Sequence, residues 1–163
     1  MITNSRSDNV NTRNLVVDIL LAVTRDGAFS HIAIRDVLDK YRYLPKQDRA
    51  FITRLSQGTI ERMIELDAII NQFSKTKVKK MKPVIAAILR SGVYQLKYMD
   101  QIPDSAVCNE AVKMAQKKGF YSLKGFVNGV LRNIARELPD MKFEDLSIQY
   151  STPDRKSACR ERV

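Results

Sequence analysis

Five lysines crowd into residues 74–82, where the chain reads Ser-Lys-Thr-Lys-Val-Lys-Lys-Met-Lys with no acid among them. Lys75, Lys77, Lys79, Lys80 and Lys82 are point charges just ahead of a helical stretch, placed to reach successive phosphates of a polyanion. The run suits a solvated linker equally well, and composition alone does not separate the two. The helix that follows carries Arg90, Tyr94 and Lys97, which at about 100° per residue cluster opposite its apolar stripe. Two cations flanking a tyrosine can hold a phosphate backbone while the ring stacks on an unpaired base. Arg90 could instead be tied to a carboxylate between helices, and Tyr94 could fill a seam. Farther on, Lys117, Lys118 and Lys124 add cations, and Gly125, Gly129, Arg132 and Arg136 fall away from the core stripe of the last helix. Those glycines leave a shallow place for close approach to the backbone, which a packed helix could also use. Asn128, at the flank, reads as a buried hydrogen-bonding anchor. Arg13 falls in the first turn of the first helix, at the end whose dipole attracts anions.

Catalytic patterns are missing. His31 is the one histidine, and Cys108 and Cys159 lie 51 residues apart without Cys-x-x-Cys spacing. This disfavours a zinc site, a dithiol redox site and a histidine-based triad. There is no Gly-x-Gly-x-x-Gly, Walker or Gly-x-Ser-x-Gly motif. The carboxylate pairs Asp36/Asp39 and Glu61/Glu65 fall at ordinary helix-surface spacings, and Cys108 falls near an apolar side, as an inert buried thiol would. The chain reads as a binding module, not an enzyme, with no metal and no cofactor of its own.

The wider composition agrees. The 163 residues are 44% hydrophobic and 28% charged, in the range of a globular domain, with a net charge of +10. The surplus is local: residues 74–136 carry 13 Lys and Arg against Asp100, Asp104 and Glu110, whereas 1–73 and 137–163 are nearly balanced. One polyanion site would leave such a footprint, and so would a basic surface kept for solubility. The first ten residues lack the apolar core of a signal peptide. The apolar stretch at 83–89 is far short of the ~18–20 residues that cross a bilayer. The expected location is a reducing cytoplasm, without a membrane.

Helical periodicity runs throughout and strand signals are weak. A polar leader at 1–11 ends at Asn11 or Thr12, either of which can cap a first helix. Val17 and Leu21 lie off its main stripe, predicting burial on more than one face. Ser30 is a candidate cap for a second helix. A long stretch from Pro45 to about residue 73 follows, with Gly58 marking a bend or a close helix contact. Pro83, Asp104 or Ser105, and Ser122 open three more helices. The expectation is an all-α fold of six or seven helices. A domain at 12–138 would divide into subdomains at about 12–73 and 83–138, joined by the basic junction 74–82, with a short helical turn in the tail after Pro139.

Residues 103–132, with Cys-Asn-Glu-Ala-Val at 108–112 and Gly-Phe-Val-Asn-Gly-Val-Leu-Arg at 125–132, resemble the NusB-like domain family. Ala-Ile-Leu-Arg-Ser-Gly-Val-Tyr-Gln-Leu at 87–96 is similar to the family's preceding helix. The resemblance implies an all-helical fold of two small bundles and an RNA-binding role. The charge and wheel patterns give Arg13, Lys75, Lys77, Lys79, Lys80, Lys82, Arg90, Tyr94, Lys97, Lys117, Lys118, Lys124, Arg132 and Arg136 as the expected RNA contacts. Two branches exist. One is the free-standing antitermination factor, which binds RNA together with a ribosomal protein. The other is the N-terminal domain of RsmB-type methyltransferases, which make 5-methylcytosine in small-subunit ribosomal RNA. Asp-Arg-Ala-Phe at 48–51, Gln-Gly-Thr-Ile-Glu-Arg at 57–62, Val-Leu-Arg-Asn at 130–133 and Leu-Ser-Ile-Gln-Tyr-Ser-Thr-Pro-Asp at 146–154 resemble the second branch. The Trp that this branch places soon after Pro153 and Asp154 is absent. Residues 139–163 therefore read as a linker and an atypical tail, native, frame-shifted or foreign. The catalytic domain, and the S-adenosylmethionine it would bind, are expected outside these residues.

Overall fold

Asn11 starts the first helix as the sequence predicts: its Oδ1 accepts the Asn14 N–H at 3.0 Å, satisfying one of the donors a helix start leaves open. The computed structural model describes residues 10–141. Helix α1 (Thr12–Thr24) buries Leu15, Val16, Val17, Ile19, Leu20 and Leu21. That is most of its circumference, as expected from its off-stripe Val17 and Leu21. Gly27, at φ +80°, turns the chain into α2 (Ser30–Lys40). Phe29, not Ser30, occupies the cap position there, and no side chain caps the helix.

The stretch after Pro45 divides into α3 (Lys46–Glu61) and α4 (Met63–Phe73). The break falls at Arg62, whose φ of −111° and ψ of 23° serve as the end of one helix and the start of the next. Gly58, where the sequence suggests a bend, lies inside α3. It is the other expected feature, a close contact: a Cβ there would stand 2.3 Å from the Tyr94 ring.

Pro83 opens α5 (Pro83–Tyr98), which packs against α1, α3 and α4 as well as α6 (Asp104–Lys117) and α7 (Lys124–Glu137). That central position explains why α5 buries ten residues, among them Ser91 and Gln95. Ile88 and Leu89 are fully buried, each worth about 1.5–3 kcal/mol of transfer free energy. Gly92 lets Leu131 of α7 come close, at 3.1 Å from where a Cβ would sit. Short 3₁₀ turns at Val78–Lys80, Tyr121–Leu123 and Leu138–Asp140 complete the order. Among the described residues there are seven α-helices and no strand, and their buried apolar side chains meet in one core. None of these helices is long and apolar enough to cross a membrane. The tail motif at 146–154 and Cys159 lie outside the described residues.

Candidate nucleic-acid interface

The face of α5 proposed from its wheel, Arg90, Tyr94 and Lys97, is not a free surface. Arg90 donates from Nε and Nη2 to the two Asp67 carboxylate oxygens of α4 at 2.7 and 3.0 Å. Lys97 donates to the Glu65 carboxylate, which also accepts the Tyr98 hydroxyl at 2.6 Å and Arg62 at 3.3 Å. The Tyr94 ring is 8% exposed and lies on the α3 backbone at Gly58, with the Tyr98 ring 5.0 Å away. It cannot present a face to a base. The physical reason is the central place of α5: a wheel locates the non-core side of one helix, and here other helices cover that side too. Burial pushes the Glu65 carboxyl up, but the hydrogen bonds from Lys97, Tyr98 and Arg62 outweigh it and leave it below the usual range. Burial and the bond to Glu65 hold the Tyr98 hydroxyl well above its ordinary value.

Arg13 is likewise a brace. Its Nε donates to Gln95 Oε1 at 2.9 Å and its guanidinium lies 5.3 Å from the Phe51 ring centre, tying α1 to α5 and α3. Burial lowers its pKa, with Glu110 opposing. Arg13 is therefore not free to meet an anion at the start of α1.

Lys75, Lys77, Lys79, Lys80 and Lys82 are exposed and make no ion pair among the described residues. Their backbone is pinned. Val78 is buried, its N–H donates to Asn71 Oδ1 at 2.9 Å, and the Ser74 hydroxyl donates to the Thr76 carbonyl at 2.7 Å. Alternate side chains thus anchor the turn while the lysines point to water. Beside them a groove of about 650 Å³ runs between Val78, Met81 and Pro83 and the end of α1 at Val23.

A second basic patch forms where α6 ends and α7 begins. Lys117 is exposed and without an ion-pair partner among the described residues, whereas Lys118 is held by Asp18 of α1 at 3.1 Å. With Lys113, Asn11 and Asn14 they line a groove of about 610 Å³ at the positive end of the α1 dipole. On α7, Arg132 donates to Asn128 Oδ1 at 3.0 Å and Asn109 Oδ1 at 3.1 Å, and Arg136 donates to Asn133 Oδ1 at 2.7 Å. Neutral amides orient Arg132 without cancelling its charge. Asn128 is only half-buried, so its role is to steer Arg132 rather than to anchor a core bond. Gly125 and Gly129 are exposed, and a Cβ at either would meet nothing within 4 Å. The shallow outward face read from the sequence is there.

One residue escaped the sequence reading. Tyr121, between α6 and α7, is 61% exposed, and the Lys124 ammonium lies 4.0 Å from its ring centre. Its signal was an aromatic in a helix-linking turn with lysines on both sides, at 117–118 and at 124.

The two patches lie at opposite ends of α1, a helix of 13 residues, hence about 20 Å apart at 1.5 Å per residue. Several neighbouring cations are spent on acids from the first half of the chain: Asp67, Glu65 and Asp18 hold Arg90, Lys97 and Lys118. Cys108 is fully buried, and burial pushes its thiol up, with Arg132 opposing.

The sequence profile of the NusB family matches residues 10–136. Over 125 residues, 77% of this chain, 36% are identical to a Bacillus subtilis protein named "Probable ribosomal RNA small subunit methyltransferase B", of which the match covers 28%. Over 131 residues, 78% of this chain, 35% are identical to the transcription antitermination protein NusB of Geobacter sulfurreducens, of which it covers 94%. The structure of T. maritima NusB superposes with a TM-score of 0.70 at 25% identity, over 77% of this chain and 89% of that one. The chain thus spans under a third of the methyltransferase it matches.

Proposed function

The chain belongs to the NusB family, and from that premise we propose that it binds RNA and docks ribosomal RNA for a 5-methylcytosine methyltransferase. The observation that carries the reading is the set of exposed cations without a carboxylate partner among the described residues. Lys40, Lys46, Arg54 and Arg132 are also exposed and lack such a partner, but the densest group is Lys75, Lys77, Lys79, Lys80 and Lys82 at the junction, with Lys117 at the α6–α7 corner. Lysines on pinned backbone, next to an open helix start, can neutralise phosphates at two points about 20 Å apart. Lys124, Arg132 and Arg136 extend the corner patch along α7. Arg90, Tyr94, Lys97 and Arg13 support this surface from behind by holding α5 in place. Likeness to a small-subunit ribosomal RNA methyltransferase supports ribosomal RNA as the ligand. Methyl transfer, with its S-adenosylmethionine, would then belong to a covalently linked catalytic domain.

A second reading, a free-standing antitermination adaptor for RNA and a ribosomal protein, is favoured by the match to nearly the whole of the Geobacter protein. Tight binding to the ribosomal protein with negligible RNA binding alone would support that reading over the first.

Fluorescence anisotropy with a small-subunit ribosomal RNA fragment tests the proposal. Affinity should fall with salt, each phosphate contact adding about 0.7 to the logarithmic slope for single strands. Charge reversal at Lys77, Lys79 and Lys80 together should lower that slope by about 2. An unchanged slope and affinity would remove the junction from the interface.

A further inference from the structure

We propose that Tyr121 and Lys124 form a stacking platform for an unpaired base, so that the α6–α7 corner selects single-stranded over fully paired RNA. The proposal rests on the RNA-binding reading above and adds to it the form of RNA taken.

Tyr121 sits in a turn that is otherwise anchored. Gly119, at φ +92°, ends α6, and the Phe120 N–H donates to the Ala115 carbonyl at 2.8 Å. The Leu123 N–H donates back to the Phe120 carbonyl at 2.9 Å. Phe120 and Leu123 pack against the core. Between them Tyr121 is left 61% exposed, a large ring held outward by rigid backbone. A ring that contributed to the core would follow its neighbours inward, and a polar residue would serve a mere turn as well.

The Lys124 ammonium, 4.0 Å from the ring centre, fixes the ring by a cation–π contact and places a positive charge beside it. A base stacked on the exposed ring would bring its own phosphate within reach of Lys124 and of Lys117 at the end of α6. This pairing of aromatic face and adjacent cations is how single strands are held without base-specific hydrogen bonds. Phe29, also exposed, lies against the His31 ring and has no cation over it among the described residues. Paired RNA offers no free base face except at its ends, and its bases would not reach the platform.

The full chain is titrated with a single-stranded ribosomal RNA oligomer carrying 2-aminopurine and with a hairpin-capped duplex of the same sequence. Wild type should quench the aminopurine. Tyr121→Ala should lose the quenching and about tenfold in single-strand affinity, while Tyr121→Phe retains both. Duplex affinity should not change in either variant. Because Tyr121 supports no core contact, the thermal midpoint of Tyr121→Ala should match wild type, which separates a lost platform from a lost fold. Quenching and affinity unaltered in a Tyr121→Ala protein that still binds RNA would overturn the platform and leave the RNA-binding reading intact. No binding of either RNA by wild type would overturn both.

Discussion

Substitution of Gly58 by Ala tests how α3 and α5 meet. A Cβ at position 58 would stand 2.3 Å from Cζ and Oη of Tyr94 and 2.6 Å from Cε1, where carbon atoms prefer about 3.5–4.0 Å. The ring must retreat by more than an ångström. It has little room, being 8% exposed and 5.0 Å from the Tyr98 ring, and only two side-chain torsions with which to move. Overpacking of this kind costs about 1–3 kcal/mol. Alanine recovers up to ~1 kcal/mol over glycine inside a helix, so the net loss is about 0–2 kcal/mol, toward the upper end for so close a clash. For a chain of this length each kcal/mol is worth about 2–4 °C in Tm. Differential scanning calorimetry should therefore find Gly58→Ala melting lower, by up to about 8 °C. Tyr94→Leu removes the atoms that the new Cβ meets, so in that background Gly58→Ala should cost nothing or stabilise. A higher Tm for Gly58→Ala alone, as helix propensity by itself would give, would refute the packing argument and return Tyr94 to the surface.

Two further outcomes follow from the α4–α5 seam. Glu65 is ionised more readily folded than unfolded, so its contribution to stability is present above its unfolded pKa, about 4.3. It is lost as pH falls through the lower folded value. Denaturant melts should show this acid-side loss in wild type and a smaller one in Glu65→Gln. Arg90→Ala breaks a part-buried bidentate pair, its side chains 14% and 29% exposed. It should cost roughly 1–2 kcal/mol in urea unfolding, between the values for exposed and buried pairs. The salt slope of RNA binding should not move; a slope reduced as much as by a junction lysine would place Arg90 on the interface after all.

The all-α fold was legible because its signals are local. Helix starts at Asn11 and Pro83 and stops at Gly27 and Gly119 follow from backbone chemistry that each segment carries alone. The apolar spacing of α7 correctly turned Gly125, Gly129, Arg132 and Arg136 outward. α5 was read less well for the same reason that makes it central. It has partners on several sides, and a wheel cannot say whether a polar residue faces water or the acid of another helix. Tyr121 was missed because an aromatic in a short turn has no period to mark its direction.

By itself, then, the sequence determined the helices, the family motifs and the total charge, properties that depend on residue type and near spacing. Tertiary structure decided which charges are free. Three carboxylates from the balanced first half fold against the basic second half and hold Arg90, Lys97 and Lys118. Charge sums along the chain add residues regardless of where they meet, whereas Coulomb energy falls with distance in space. Packing around α5 turned an apparent binding face into a seam and left the junction lysines and Lys117, at the two ends of α1, open to solvent.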